Sequence, residues 1–302
     1  MTQAITSKKL FEILDQYKSF PFIFVEPGGN YGDSLIYQGA EKIFNLARIC
    51  YKKVNHPEFM ALEVPHDTAV YINGSGAFNA MYHQRPIDEL KKALASSAKA
   101  VILGPTTFTQ DSHFLKDGVF SRMPNNPDKK TFIFCREKIS YSTLNKIIPS
   151  HFELLLDHDT ALNLHAEDLI KHVPKGKYVL YGIREDKEKL GPQRPDLLTF
   201  WVDPVPYCST YEDWIALHAN AEKVITNRLH SSILSSILGK SVTLLPNSYY
   251  KNRCVWEYSL KDKGVLWKDT IEHPGFISFL LRFKPYKKFI NSYKIRKLFR
   301  RL

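Results

Sequence analysis

Short apolar blocks along the chain alternate with stretches in which apolar residues recur at helical spacing. Phe22-Ile23-Phe24-Val25, Ala69-Val70-Tyr71-Ile72, Ala100-Val101-Ile102-Leu103 and Thr131-Phe132-Ile133-Phe134-Cys135 have the uninterrupted character of strands buried on both faces. Between them, residues 35–51 place Ile36, Ala40, Ile43 and Leu46-Ala47 on one face, which predicts a helix, and residues 87–96 and 141–147 predict two more. Residues 1–18 read as an amphipathic helix. The rhythm returns with strands at Lys177-Tyr178-Val179-Leu180-Tyr181, Lys223-Val224-Ile225-Thr226 and Ser241-Val242-Thr243-Leu244-Leu245. Helices are predicted over 211–220 and over 229–238, the latter ended by Gly239. Strands alternating with helices imply parallel sheets joined by crossovers, so the expected fold is α/β with two Rossmann-like, doubly wound domains. Glu167, Asp168, Pro174 and Gly176 interrupt the apolar pattern and place the division there: domains over 1–165 and 166–281, then a tail over 282–302.

Composition narrows the class. With 302 residues, 44% of them hydrophobic and 13% aromatic, the chain can bury two cores and is not a disordered polymer. No apolar run approaches the roughly 18 residues that cross a bilayer, and the amino terminus lacks the apolar core of a signal peptide. A cytoplasmic location is expected. Cys50, Cys135, Cys208 and Cys254 are widely spaced and form no C-x-x-C pair, so free buried thiols are expected rather than disulfides or a zinc site. The net charge of +11 is uneven, because from Arg282 onward there are nine Lys or Arg and no acid. Amid those cations Tyr286, Phe289-Ile290, Tyr293 and Leu298 recur at roughly helical spacing. That pattern predicts a basic amphipathic helix able to lie on anionic lipid at the inner face of the cell membrane. A docked C-terminal helix with a basic end is the alternative. The near-neutral body and the lack of a recognised module speak against nucleic acid.

Four turns carry the candidate chemistry. Gly28-Gly29-Asn30-Tyr31-Gly32-Asp33 follows a strand and opens a helix, where glycine lets a ligand approach the backbone and the helix start offers free N–H groups. A tight turn with Asp33 as a helix cap is the simpler alternative. Gly74-Ser75-Gly76 follows the next strand, and both turns open at the carboxyl edge of one sheet, where open α/β sheets bind ligands. The strongest signal is Thr226-Asn227-Arg228-Leu229-His230-Ser231-Ser232: a guanidinium, an imidazole and hydroxyls gathered at a helix start suit phosphate or carboxylate, the alternative being a structural ion pair for Arg228 and a core position for His230. Asn247-Ser248-Tyr249-Tyr250-Lys251-Asn252-Arg253 follows the adjacent strand and adds cations, and Arg136 follows a strand of the first half. Asp157-His158-Asp159 is too short to indicate a metal, and no G-x-S-x-G elbow supports a hydrolase triad.

Taken in order, these motifs resemble the polysaccharide pyruvyl transferase family. The matches are Gly29-Asn30-Tyr31-Gly32-Asp33 with Leu35-Ile36, Asn73-Gly74-Ser75-Gly76-Ala77-Phe78, Phe134-Cys135-Arg136-Glu137-Lys138 with Ser140-Tyr141, Asp157 with Ala161-Leu162, Thr226-Asn227-Arg228-Leu229-His230-Ser231, and Asn247-Ser248-Tyr249-Tyr250-Lys251-Asn252. Ser75 stands where the family commonly has the middle of three glycines. The resemblance implies a GT-B-like pair of Rossmann-like domains, phosphoenolpyruvate as donor substrate with no further cofactor, and a sugar of an exopolysaccharide or lipid-linked repeat unit as acceptor. His230 would transfer a proton and Arg228 bind the donor, with Arg136, Asn227, Ser231, Lys251 and Asn252 as further contacts. Asn30 and the Gly74-Ser75-Gly76 turn would face the acceptor, and Asp33 would be a candidate base. A GT-B glycosyltransferase using a nucleotide sugar, or a non-catalytic component of a polysaccharide assembly complex, are the competing expectations.

Overall fold

The computed structural model describes residues 5–76, 78–79, 84–191 and 201–271. The chain divides into two units: one runs up to Lys171 and takes in Cys254–Lys263, and the other comprises His172–Arg253 and the chain from Gly264 on. In the first unit α1 (Lys8–Gln16), β1 (Phe22–Glu26), α2 (Tyr31–Leu46), β2 (Tyr51–Asn55), α3 (His56–Ala61) and β3 (Ala69–Ile72) come first. They are followed by α4 (Gln84–Ala95), β4 (Ala100–Thr106), β5 (Lys130–Cys135), α5 (Lys138–Leu144), β6 (Phe152–Leu156) and α6 (Ala166–Leu169).

The six strands of this unit are all parallel and lie in the order β2-β1-β3-β4-β5-β6. Because alternate side chains of a strand point to opposite faces, each apolar block supplies two cores. Phe24, Tyr71, Ile102 and Phe134 face one way and meet α1 and α2, where the Phe44 ring makes edge contacts with Phe24 at 5.1 Å and Tyr71 at 5.2 Å. Val25, Ile72, Leu103 and Ile133 face the other way, against Phe59 of α3 and Leu90 of α4.

The second unit contains β7 (Tyr178–Gly182), β8 (Trp201–Val202), α7 (Pro204–Tyr207), α8 (Tyr211–Ala219), β9 (Ala221–Thr226), α9 (Leu229–Ile237), β10 (Ser241–Leu244), α10 (Lys251–Val255) and β11 (Leu266–Trp267), with α10 running across the division. Its sheet is also parallel, in the order β11-β10-β9-β7-β8. Read from the first strand of each, the two sheets share one plan: the second strand lies on one side of the first, and the third, fourth and fifth follow on the other. Each sheet therefore reverses its winding beside its first strand. The loops leaving β1 and β3, and those leaving β7 and β9, part there and leave a crevice at the carboxyl edge. Both sheets are Rossmann-like, the parts that the GT-B-like expectation requires.

Several boundaries differ from the sequence reading. The helix expected to reach Tyr51 stops at Leu46, the chain turns at Arg48 with φ of 54°, and Tyr51 opens β2. β4 continues through Gly104-Pro105 to Thr106, with an irregular register against β5 after Leu103. All four cysteines are free, as expected, but Cys50 is exposed and Cys208 half-buried, because both lie in connections rather than in the sheets. The expected basic helix over 282–302 lies outside the described residues, among which no helix is long and apolar enough to cross a membrane.

Gly74 shows what the first crevice demands. A Cβ there would lie 2.1 Å from the Pro105 carbonyl oxygen, so the turn after β3 fits against β4 only without a side chain. Gly74→Ala is expected to lower stability by about 1–3 kcal/mol, the cost of overpacking, measured as a lower urea midpoint with unchanged slope.

Candidate functional site

The first crevice begins with two glycines in the left-handed region, Gly28 at φ 86° and Gly29 at φ 148°. They aim the chain so that Asn30 caps α2. Its side chain accepts the Gly32 N–H at 2.8 Å, while Asp33 Oδ2 accepts the Asn30 N–H at 2.8 Å. A Cβ on Gly29 would fall 2.1 Å from that carboxylate oxygen. Asn30 and Asp33 thus form a reciprocal capping box, with the second carboxylate oxygen of Asp33 bonded to no other described residue. Opposite lies the turn after β3. Asn73 Nδ2 donates to the Val25 carbonyl at 2.9 Å, and its Oδ1 is buried without a partner. The Ser75 carbonyl accepts the Thr107 N–H at 3.0 Å, and the Gly76 carbonyl accepts Asn79 Nδ2 at 2.8 Å.

Arg136 is fully buried. Its Nε donates to Thr107 Oγ1 at 2.8 Å and its Nη1 to Asp159 Oδ2 at 2.7 Å, so the guanidinium ties the turn after β5 to those after β4 and β6. Asp157 is engaged too, accepting the N–H groups of Leu10 and His158, both at 2.8 Å. Burial outweighs these bonds and pushes its carboxyl up to about 6. Asp157 and Asp159 therefore fasten the end of β6, and among the described residues no three His, Cys, Asp or Glu are grouped to hold a metal ion.

In the second crevice the cations come together, accompanied by acids. Arg228 occupies the cap position of α9 and makes no capping bond with its side chain. Its guanidinium is gripped by Asp203, Nε to Oδ1 at 2.5 Å and Nη2 to Oδ2 at 2.7 Å, while Nη2 also donates to Asp186 Oδ2 at 2.9 Å. Arg184 donates to both oxygens of Asp186, at 2.8 and 2.9 Å, and to Glu188 Oε2 at 2.6 Å. Lys251 closes the set on Glu188 Oε2 at 2.7 Å, its ammonium lying 5.0 Å from the Tyr249 ring centre. Amides lock the backbone around it. Asn227 Oδ1 accepts the Arg184 N–H at 2.8 Å, and Asn252 Nδ2 donates to the carbonyls of Asn227 at 2.8 Å and Leu245 at 3.0 Å.

Three cations thus face three carboxylates, mostly buried and nearly neutral in sum. Burial alone would raise the acids, but Arg184 and Arg228 hold Asp186 far below the usual carboxylate range, and Lys251 and Arg184 hold Glu188 down at about 2. The network's purpose is geometric: two-point Arg–carboxylate pairs fix each guanidinium in its plane. Arg228 Nη1 and two of the Lys251 ammonium protons remain without an acceptor among the described residues. His230 is half-buried on the first turn of α9, beside Ser231, whose buried Oγ has no partner. The crevice thus offers fixed donors at a helix start whose first N–H groups point the same way.

The sequence model of the family described as polysaccharide pyruvyl transferase matches residues 30–249, a span that contains both switch points. The chain belongs to the polysaccharide pyruvyl transferase family. Membership implies transferase chemistry. A crystal structure of an uncharacterised protein from Klebsiella pneumoniae subsp. pneumoniae is similar in fold, with a TM-score of 0.68 at 21% identity, covering 87% of this chain and 98% of that one. No curated protein matches the sequence.

Asn227, Arg228, His230, Ser231, Lys251 and Asn252 stand out in the sequence, whereas Arg184, Asp186, Glu188 and Asp203 do not. The run from Arg184 to Lys189 has the composition of a solvated loop. Its one clue was position, directly after the first strand of a sheet, as Gly28–Asp33 is in the other.

Removing Asp203 strips Arg228 of its two-point partner in a buried setting. Asp203→Ala is expected to cost about 3–5 kcal/mol, toward the low end because Asp186 still holds one nitrogen, read as a lower melting temperature. Glu188 and Asp186 also set an acid limit. A carboxyl whose folded pKa is depressed contributes stability above its ordinary value, lost as pH falls through the folded one. Stability should therefore drop between pH 4.5 and about 2, and Glu188→Gln should flatten that fall in acid-titration melts.

Proposed function

We propose that the protein transfers the pyruvyl group of phosphoenolpyruvate to two hydroxyls of one sugar in an exopolysaccharide or its lipid-linked repeat unit, giving a cyclic ketal. The observation that carries this is the fixed cation cluster of Arg184, Arg228 and Lys251 at the second switch point, in a chain of this family. Phosphoenolpyruvate brings a phosphate and a carboxylate. Arg228 Nη1, the Lys251 ammonium and the start of α9 are donors suited to those groups.

In the proposed reaction a proton is added to the donor's methylene, and C2 becomes electrophilic. One sugar hydroxyl attacks C2 and gives up its proton. The bond from C2 to the phosphate oxygen breaks, the second hydroxyl closes the ring, and its proton leaves with phosphate. His230 is assigned the proton delivered to the methylene, and Arg228 anchors the donor. Ser231, Asn227 and Asn252 shape that pocket. Asn30, the Gly74-Ser75-Gly76 turn and the open oxygen of Asp33 are assigned to the acceptor. Arg136 acts from within the first unit by holding the turns that border the acceptor crevice. The nine cations from Arg282 on are assigned to anionic lipid, each contributing ~1 kcal/mol.

Titration calorimetry with phosphoenolpyruvate, and phosphate release with a mixed glycolipid fraction, test these roles separately. His230→Ala should bind the donor within a few-fold of wild type yet turn over ~10²–10⁴-fold more slowly. Arg228→Lys keeps the charge but loses the planar fork, and should weaken donor binding about tenfold or more. Binding of nucleotide sugars but not phosphoenolpyruvate would favour the glycosyltransferase reading instead. Truncation after Arg282 should reduce partitioning onto anionic vesicles more than it reduces donor affinity.

A further inference from the structure

The first crevice holds a second cluster that the motifs do not include. His56 begins α3 at the carboxyl end of β2, directly beyond the pair Glu26–Asn55 that closes the β1–β2 register. Its Nδ1 lies 2.9 Å from Oε1 of Glu89, which projects from α4 and is fully buried. The first turn of α4 reaches the loop after β1: a Cβ on Gly28 would stand 3.1 Å from Arg85 Nη1. Tyr37 donates to the Gly28 carbonyl at 2.8 Å, and its phenol is pushed up by burial and then by Asp33, Glu89 and Glu26 together. Three carboxylates, an imidazole and a phenol therefore share one edge with the Gly28–Asp33 turn.

Two atoms in this region lack the partners that buried polar atoms ordinarily have. Glu89 Oε2 is buried with no hydrogen bond, and so is Asn73 Oδ1 at the neighbouring turn. His56 Nε2 has no partner among the described residues, and the side chain is 21% exposed. A carboxyl bonded to one imidazole nitrogen fixes the ring and decides what the other nitrogen presents. Burial pushes Glu89 up to about 8, with Arg85 opposing and Asp88 adding. Glu26 is offset by Lys53, 3.6 Å away, and Arg85 lies beside Gly28, so the edge has little net charge and its unpaired oxygens suit hydroxyl donors.

We propose that the carboxyl edge beside β1 is a binding site for a neutral sugar diol, in which His56 Nε2 contacts a hydroxyl and Glu89 is the positioning residue that holds the ring. This rests on the reading that the first unit takes the acceptor of pyruvyl transfer. It adds His56 and Glu89, which the glycine turns do not include.

The test is nuclear magnetic resonance of the histidine ring carbons in the full chain, the His56 signal being assigned with His56→Gln. Methyl hexopyranosides of gluco, galacto and manno configuration are titrated in one arm and phosphoenolpyruvate in the other. The expected result is that at least one hexoside shifts the His56 signal in a saturable way while phosphoenolpyruvate does not. Glu89→Gln should weaken that response at least fivefold, since the amide no longer holds the ring as the carboxyl does. If no hexoside moves His56, or phosphoenolpyruvate moves it equally, the proposal is overturned and the pair merely ties α3 to α4. Failure of the donor reading shows separately, as phosphoenolpyruvate leaving the His230 signal and its own phosphorus signal unchanged.

Discussion

A parallel sheet that winds outward in both directions from its first strand must part its connecting loops at that strand. Nearly everything of chemical interest in this chain follows from that constraint, met twice. The first parting, between β1 and β3, gathers glycine turns, capped helix starts and carboxylates. The second, between β7 and β9, gathers guanidinium groups and the acids that hold them. The same backbone plan thus produces one edge rich in acceptors and one rich in donors, and the difference lies wholly in the side chains that leave the strand ends.

The donor-rich edge shows why a cation cluster need not be left bare to attract an anion. Arginine is flexible, and an unpaired guanidinium in a pocket would sample many rotamers, each lost on binding. Asp203 and Asp186 remove that freedom beforehand, and each costs little because it is itself satisfied: Asp203 also accepts the Glu185 N–H at 2.9 Å. What faces an incoming ligand is a set of oriented N–H bonds rather than a diffuse positive field. For the proposed donor, the favourable part of binding would then come from hydrogen bonds and the helix start, and depend less on bulk salt than with a bare cluster.

The fold was legible where strands are central and opaque where they are not. The central strands β1, β3, β4, β5, β7, β9 and β10 have neighbours on both sides, and each carries a run of apolar or β-branched residues that the pattern finds, although β9 opens with Ala221-Glu222-Lys223. β2, β6, β8 and β11 are the four edges of the two sheets. They are half exposed, as in Tyr51-Lys52-Lys53-Val54-Asn55, or only two residues long, as in Trp201-Val202, and neither form leaves a periodic trace. The sites divide in the same manner. Arg228 and His230 stand at a helix start that the pattern locates, so they could be named. Asp203 and Glu188 pair with cations distant in the chain, and Glu89 sits mid-helix looking like any surface acid. Long-range pairing decides their roles, and a linear pattern does not carry it.

The segment Cys254–Lys263 belongs to the first unit although the chain has by then passed through most of the second. It is held there by His158, whose Nδ1 lies 2.8 Å from Ser259 Oγ and whose ring stacks on Tyr258 at 4.7 Å. The chain returns to the second unit at Gly264, in the left-handed region at φ 79°. In terms of synthesis, each unit is assembled from two separate stretches of the chain. A ribosome releases most of the first unit early, yet that unit is not finished until the residues around Tyr258 have emerged. No single cut in the chain separates the two units whole, and neither can be lost from a descendant gene by simple truncation.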